Sequence, residues 1–485
     1  MDDLAFSDAT TLAAKIKAKD ISSVELLEHF IGRVEKYNPD INAIIATQYD
    51  KARDRARAAD EALSKGEDWG PLHGVPMTVK ESYDIAGLPT TWGNPDLKNN
   101  IAERDAVACD RLQAAGAVIF GKTNVPLSLA DFQSYNDVYG TTNNPFDLER
   151  GPGGSSGGSA AALAAGLTGL EMGSDIGGSI RNPAHYCGVY GHKPTWGILP
   201  MRGHALPGVL TPSDISVIGP LARSAEDLRL AVDLVGGADD IHLPGWDLNL
   251  PKPDGMSLAK LKVAVWADDD IAPVDERIKA RVLKVAKLLE DAGADVDYGA
   301  RPQFAADYTH EQYQYLLHAA MSARQPDAMF EENLKRRHSL GADDNSSLAT
   351  VTRASTQFYR EWHVRNENRT HLRWAWHEFF KEFDLMLTPM CSTTAFFHDQ
   401  NPQMGSRTLT VNNEERAYFE QVFWAGLTGV SYLPSTVFPT GPDDQGLPIG
   451  VQVVAREMGD LATIEFARLV TEQMGGFTPA PNYRA

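Results

Sequence analysis

The sequence predicts an α/β protein, and three observations carry that expectation. From Pro71 onward, short apolar runs alternate with amphipathic helical stretches, the pattern of strands buried in a sheet with helices on its faces. Residues 1–70 instead carry helical spacing alone. The composition, 43% hydrophobic and 23% charged over 485 residues, is that of a globular chain with ample material for a core.

Taken in order, Ser22-Ser-Val-Glu25 is a capping box, and Val24, Leu27, Phe30, Ile31 and Val34 follow at helical spacing. Asn38-Pro39 is expected to stop that helix. A second helix is expected over 50–66, where Lys51, Arg53, Arg55 and Arg57 alternate with Asp54, Asp60 and Glu61 and read as a solvated face. Residues 75–79 form the first apolar strand. Residues 103–115 are helical, Gly116 is the C-cap, and 117–120 form the next strand. Further strands are expected at 262–266, 385–388, 435–438 and 449–454, with helices near 226–236, 274–292, 416–428 and 459–473. Residues 240–260, rich in Pro, Gly and Asp, read as a surface excursion rather than a linker. Residues 305–415 carry many aromatics, Tyr308, Tyr313, Trp362, Trp374 and Trp376 among them, and read as helical core. A single domain over 1–485 is the economical organisation, with a helical part at 1–70, a central core at 71–235 and a second helical part at 305–415.

A formal net charge of −20 argues against attraction to nucleic acid or an anionic membrane, since both are polyanions. Three cysteines, Cys109, Cys187 and Cys391, give no disulfide framework, and a reducing compartment is expected. No secretory signal and no run of 18 uncharged apolar residues is visible, so a cytoplasmic location is expected. Metal-ligand spacings such as His-Glu-x-x-His are absent, and no cofactor or metal is expected.

Gly116-Ala-Val-Ile-Phe-Gly-Lys-Thr123 satisfies the phosphate-loop pattern G-x-x-x-x-G-K-[ST]. Its context opposes a nucleotide hydrolase. A phosphate loop joins a strand to a following helix, whereas here a helix precedes and Ala-Val-Ile-Phe wants to be the strand. Gly153-Gly-Ser-Ser-Gly157 satisfies G-x-S-x-G, which in an α/β-hydrolase requires a catalytic His downstream; His185 and His192 are most simply structural. A lysine is the alternative base. Lys80 ends an apolar strand, and at an ordinary pKa of about 10.4 only ~1 in 2500 such amines is neutral at pH 7. Burial lowers that pKa.

Four blocks then stand together: Gly74-Val-Pro-Met-Thr-Val-Lys80, Gly151-Pro-Gly-Gly-Ser-Ser-Gly-Gly-Ser-Ala160, Gly173-Ser-Asp-Ile-Gly-Gly-Ser-Ile-Arg181 and Cys187-Gly-Val-Tyr-Gly-His-Lys-Pro-Thr195. With Phe383-Asp-Leu-Met-Leu-Thr-Pro389 and Gly446-Leu-Pro-Ile-Gly-Val-Gln452, they resemble the amidase signature family over most of the chain. The resemblance implies an α/β/α sandwich around a large mixed twisted β-sheet, with the N-terminal helices packed outside. It also implies a triad of Ser179 as nucleophile, Ser155 as bridging serine and Lys80 as base, with a cis peptide between Gly154 and Ser155. Backbone N–H groups of Ile176, Gly177, Gly178 and Ser179 are implied to hold the oxyanion, Leu129 to border the acyl pocket through its backbone, and Asp175 and Arg181 to brace the loop. Glu81-Ser82 departs from the Asp-Asn of many relatives.

The expected activity is hydrolysis of small carboxamides through a serine-linked acyl-enzyme, needing no cofactor. Residues 305–415 suggest aryl or bulky apolar substrates, and a homodimer is expected by resemblance. The alternative is the family's glutamine-hydrolysing component of the tRNA-dependent amidotransferase, which carries an aspartate for the glutamine α-amino group. Residues 408–428 here hold Glu414, Glu415 and Glu420 but no Asp.

Overall fold

The computed structural model describes residues 2–484. Its main sheet has eight strands. They lie in the order Asp295–Asp297, Lys262–Val265, Leu385–Thr388, Pro448–Val454, Ser435–Pro442, Tyr190–Lys193, Val217–Ala222 and Glu171–Asp175. Lys262–Val265 runs parallel to both its neighbours and the other pairings are antiparallel, so the sheet is mixed as expected. Its central strands are buried on both sides, which is why they read as unbroken apolar runs rather than alternating ones.

The two earliest predicted strands do not join this sheet. Pro76–Lys80 lies parallel to Val118–Thr123, which pairs with Ile44–Thr47, and these make a separate three-stranded sheet. It packs against the edge strand Glu171–Asp175, and Thr78 N–H donates to Thr168 Oγ1, just before that strand, at 2.9 Å. A strand end carrying Lys80 is thereby brought beside the glycine-rich segment.

The N-terminal helices lie outside the sheets and close one side of the main core through Leu12, Ile16, Leu26, Leu27 and Phe30. The capping box forms: Ser22 Oγ accepts from Glu25 N–H, and Glu25 accepts from Ser22 N–H at 2.9 Å. Asn38-Pro39 does not stop the helix, which runs Ser23–Ile41. Pro39 removes only one donor, and the chain turns at Asn42, whose φ of 53° is left-handed and whose N–H donates to Asn38 O. In the next helix, Tyr49–Ser64, the solvated reading fails at Arg55, which is half-buried and donates to Ala117 O at 2.8 Å.

The region 305–415 is largely helical as expected, with Ala306–Ser322, Asp327–Ser339, Ser347–Ser355 and Tyr359–Phe379. The helix expected over 416–428 is shorter, Val422–Gly429, because Thr408–Val411 and Glu414–Ala417 form a hairpin before it. Among the described residues no helix is long and apolar enough to cross a membrane. Cys109, Cys187 and Cys391 are free and buried.

Candidate active site

Lys80 is fully buried at the end of its strand. Its Nζ donates to Ser155 Oγ at 2.7 Å, Ser156 Oγ at 2.9 Å and Ser174 Oγ at 3.0 Å. No carboxylate of the described residues pairs with it. Burial pushes its pKa well below the ordinary lysine range, and the positive charge of Arg324 adds to this; the Asp175 carboxylate pulls the other way without prevailing. Burial therefore favours the neutral amine at a position surrounded by three hydroxyls.

The first glycine cluster delivers Ser155. The peptide between Gly154 and Ser155 is cis. Gly154 N–H donates to Asn182 Oδ1 at 3.0 Å, and a Cβ on Gly154 would lie 2.6 Å from Gln133 O, so only glycine lets the backbone pass. The helix Gly157–Ala164 then leads away through the core. Ser156 is drawn in differently: its N–H donates to Ser179 O at 3.1 Å and its Oγ to Ser174 O at 3.3 Å.

The second cluster follows the edge strand Glu171–Asp175. Asp175 Oδ1 accepts from Gly178 N–H at 2.8 Å and Oδ2 from Ile180 N–H at 3.1 Å, which folds the loop around the carboxylate. Burial raises the Asp175 pKa, but the Arg181 charge and hydrogen bonds outweigh it and hold the group at about 2. Arg181 in turn reaches Thr428 Oγ1 at 2.9 Å and Gln452 Oε1 at 2.7 Å, fixing the loop to the helix Val422–Gly429 and the main sheet. Tyr313 Oη donates to Ile176 O at 2.9 Å from the helix Ala306–Ser322. Ser179, at 7% exposure, is the most accessible of the four serines 155, 156, 174 and 179.

Among the described residues the N–H groups of Ile176, Gly177 and Ser179 have no protein acceptor, while that of Gly178 is taken by Asp175. Gly178 sits at φ 105°, where a side chain is strained. No hydrogen bond joins Ser155 Oγ to Ser179 Oγ directly.

Other candidates fall elsewhere. Leu129 is buried at φ 60° in a small apolar cluster with Trp92 and Val125. His185 is held between Gly450 O and Thr393 O, and His192 between Thr436 and Asp460; neither touches a serine of the cluster. Lys122 of the phosphate-loop pattern is buried in the strand Val118–Thr123 and donates to Thr90 Oγ1, away from any loop that cradles a phosphate. Sequence reasoning missed two groups: Ser174, whose position inside the second cluster was its signal, and Tyr313, which shares no motif with the loop it supports.

The model of the family described as Amidase matches residues 25–464. The chain belongs to the amidase signature family. The glutamyl-tRNA(Gln) amidotransferase component from Carboxydothermus hydrogenoformans is 31% identical, with 96% of this chain and 96% of the relative covered. Its counterpart in Anaeromyxobacter sp. strain K is 32% identical, again with 96% of each covered. Among solved structures, a bacterial aryl acylamidase of the amidase signature family superposes with a TM-score of 0.81 at 26% identity, covering 99% of this chain and 98% of the other. Membership in the amidase signature family makes this chain an amide-hydrolysing enzyme.

Proposed function

We propose that the protein hydrolyses a small carboxamide by acyl transfer to Ser179, with Ser155 as relay and Lys80 as base. The observation that carries this reading is the buried, carboxylate-free amine of Lys80 at 2.7 Å from Ser155 Oγ. Lys80 takes the Ser155 proton as Ser155 Oγ takes that of Ser179, a contact that closes when substrate orders the Ser179 side chain. Ser179 Oγ forms a bond to the amide carbon, and the carbonyl electron pair moves to oxygen. The free N–H groups of Ile176, Gly177 and Ser179, joined by Gly178 if it releases Asp175, receive that oxyanion. Collapse breaks the C–N bond, and the proton returns through Ser155 to the leaving amine. Water then cleaves the acyl ester, giving the acid and free Ser179.

Two settings fit this chemistry. The curated relatives bear the name of the amidotransferase, which backs that setting better than a stand-alone amidase. In it, the chain releases ammonia from glutamine for partner chains. The aryl acylamidase supports the stand-alone setting. So does the chemistry of 408–428, where Glu414 and Glu415 are exposed and Glu420 is paired with Arg416 at 2.8 Å, leaving no buried carboxylate for an α-ammonium.

Labelling with a serine-directed sulfonyl fluoride followed by peptide mapping tests the core of the proposal. Label is expected on Ser179 and none on Ser156, and Lys80→Ala is expected to lower kcat/KM by ~10²–10⁴. A Lys80→Ala enzyme with full activity overturns it. Purification from the native source decides the setting: a stoichiometric partner and turnover confined to glutamine assign the amidotransferase, and aryl-amide turnover by the lone chain assigns the amidase.

A further inference from the structure

Residues 131–134 touch both glycine clusters. A Cβ at Gly154 would run into Asp131 O and Gln133 N, and Ser134 Oγ donates to Gly153 O and accepts from Gly157 N–H, each at 3.1 Å. The backbone that delivers Ser155 therefore lies directly on this segment. On its other side, Phe132 shares an apolar cluster with Ile176 and Tyr313, and its Cε1 is 3.7 Å from where a Gly178 Cβ would sit. One short stretch of chain thus spaces the Ser155 turn from the Ser179 loop.

Residues 131–134 lie outside any helix or strand, so no regular ladder fixes them. Side chains do. Asp131 Oδ2 accepts from Arg407 Nη1 at 2.7 Å, and Oδ1 accepts from Tyr418 Oη at 2.6 Å. Arg407 also donates to Tyr135 Oη at 2.7 Å and to Asn401 O at 2.8 Å. Gln133 exchanges two hydrogen bonds with the backbone of Asp399, at 2.7 and 2.9 Å. Asp131, Arg407 and Tyr418 are all buried. Arg407 and Tyr418 are the two feet of the hairpin over 408–417, joined where Tyr418 N–H donates to Arg407 O at 3.1 Å. A buried ion pair adds little net stability over apolar side chains of the same volume, so its geometry is the stronger reason for its presence. None of the three residues lies in the sequence blocks that carry the family resemblance.

Resting on the acyl-transfer reading above, we propose that Asp131, Arg407 and Tyr418 form a positioning clamp that sets the gap between Ser155 and Ser179 across which the relay proton passes. That reading requires Ser155 Oγ to meet Ser179 Oγ, and a displacement of about 1 Å caused far from the chemistry costs ~10²-fold in rate. The three residues act through 131–134 and not on the substrate. The hairpin is thereby coupled to the reaction, because its feet hold the segment on which both serines are seated.

Inactivation of the full chain by phenylmethanesulfonyl fluoride, followed by intact mass, reads the relay in either setting of the enzyme. Its dependence on reagent concentration separates the maximal rate, kinact, from the half-saturating concentration, KI. Tyr418→Phe keeps the ring and removes one hydrogen bond to Asp131, and is expected to lower kinact by about 3- to 10-fold with KI within about twofold. Arg407→Lys keeps the charge and loses the reach to Tyr135 and Asn401, and is expected to lose about 10-fold. Asp131→Asn leaves the buried guanidinium without its counter-ion and is expected to lose the most, about 10- to 100-fold. If that variant does not fold, the other two carry the comparison. The pH midpoint of kinact is expected to stay at the parent value in each, since the surroundings of Lys80 are unaltered. Folded variants with lowered melting temperature but parent kinact would show the clamp to be structural only and overturn the proposal. A rise in KI alone, or a moved pH midpoint with an unchanged plateau, overturns it as well. Failure of the acyl-transfer reading shows instead as absence of label on Ser179 in the parent.

Discussion

The phenol of Tyr313 holds the carbonyl of Ile176 from outside both glycine clusters, and its ring fills the space against Gly426. Tyr313 is fully buried, so the hydroxyl has no water to fall back on. Replacing it with phenylalanine keeps the ring and removes one hydrogen bond, worth about 0.5–1.5 kcal/mol. If that bond positions the oxyanion donors, Tyr313→Phe lowers kcat by ~3- to 10-fold while KM for the same amide stays within about twofold. Steady-state kinetics on one substrate separates the two; a rise in KM alone assigns Tyr313 to the pocket wall instead. At this scale the sequence was uneven. Lys80, Ser155 and Ser179 sit in blocks whose glycines announce a special backbone, whereas Tyr313 stood in an aromatic stretch as one ring among many, and only the fold shows that it meets Ile176 across 137 residues.

Between the elements, the contact of the Lys80 strand with the edge strand of the main sheet contains a second buried titratable group. Glu171 accepts from Thr78 Oγ1 through Oε1, and Oε2 has no partner among the described residues. Burial raises its pKa to about 8, despite the hydroxyls of Thr78, Ser159 and Thr123 that favour the ionised form. The folded state therefore keeps a proton that the unfolded chain has lost. Between the ordinary carboxylate pKa and about 8, stability falls as pH rises, by up to about 1.4 kcal/mol per pH unit. Glu171→Gln removes that dependence. Its melting temperature is expected to gain on the parent as pH goes from 5 to 8, and a constant gap over that range would count against a protonated Glu171. The sequence signal here was partial. The apolar runs located the strands to within a few residues, but nothing local told that 76–80 and 118–123 form their own sheet, since which edge a strand pairs with is a long-range choice. Asn38-Pro39 failed for a related reason: a helix already anchored by Leu26, Leu27, Phe30 and Ile31 tolerates a proline in its last turn.

The whole molecule is tied together by Arg33, which leaves the helix Ser23–Ile41 and enters the core. Its Nε donates to Gly166 O at 2.8 Å, and Nη2 donates to Ala165 O at 2.9 Å and Tyr483 O at 2.7 Å. One side chain thus joins the N-terminal helices, the far end of the helix Gly157–Ala164, and the C-terminal segment. Phe6 and Tyr37 pack their rings 5.0 and 4.9 Å from the guanidinium. These parts are expected to unfold as a single cooperative unit. Arg33→Ala would strand three buried carbonyl oxygens and open a void, at a cost on the order of 3 kcal/mol or more. Calorimetry is expected to show one transition moved to lower temperature, with kcat/KM at low temperature near the parent value because Arg33 lies outside the Lys80 cluster. Two separated transitions in the variant would mean that the N-terminal helices form a unit of their own. Arg33→Lys is expected to recover only part of the loss, since one ammonium lacks the fork that reaches Gly166, Ala165 and Tyr483 together.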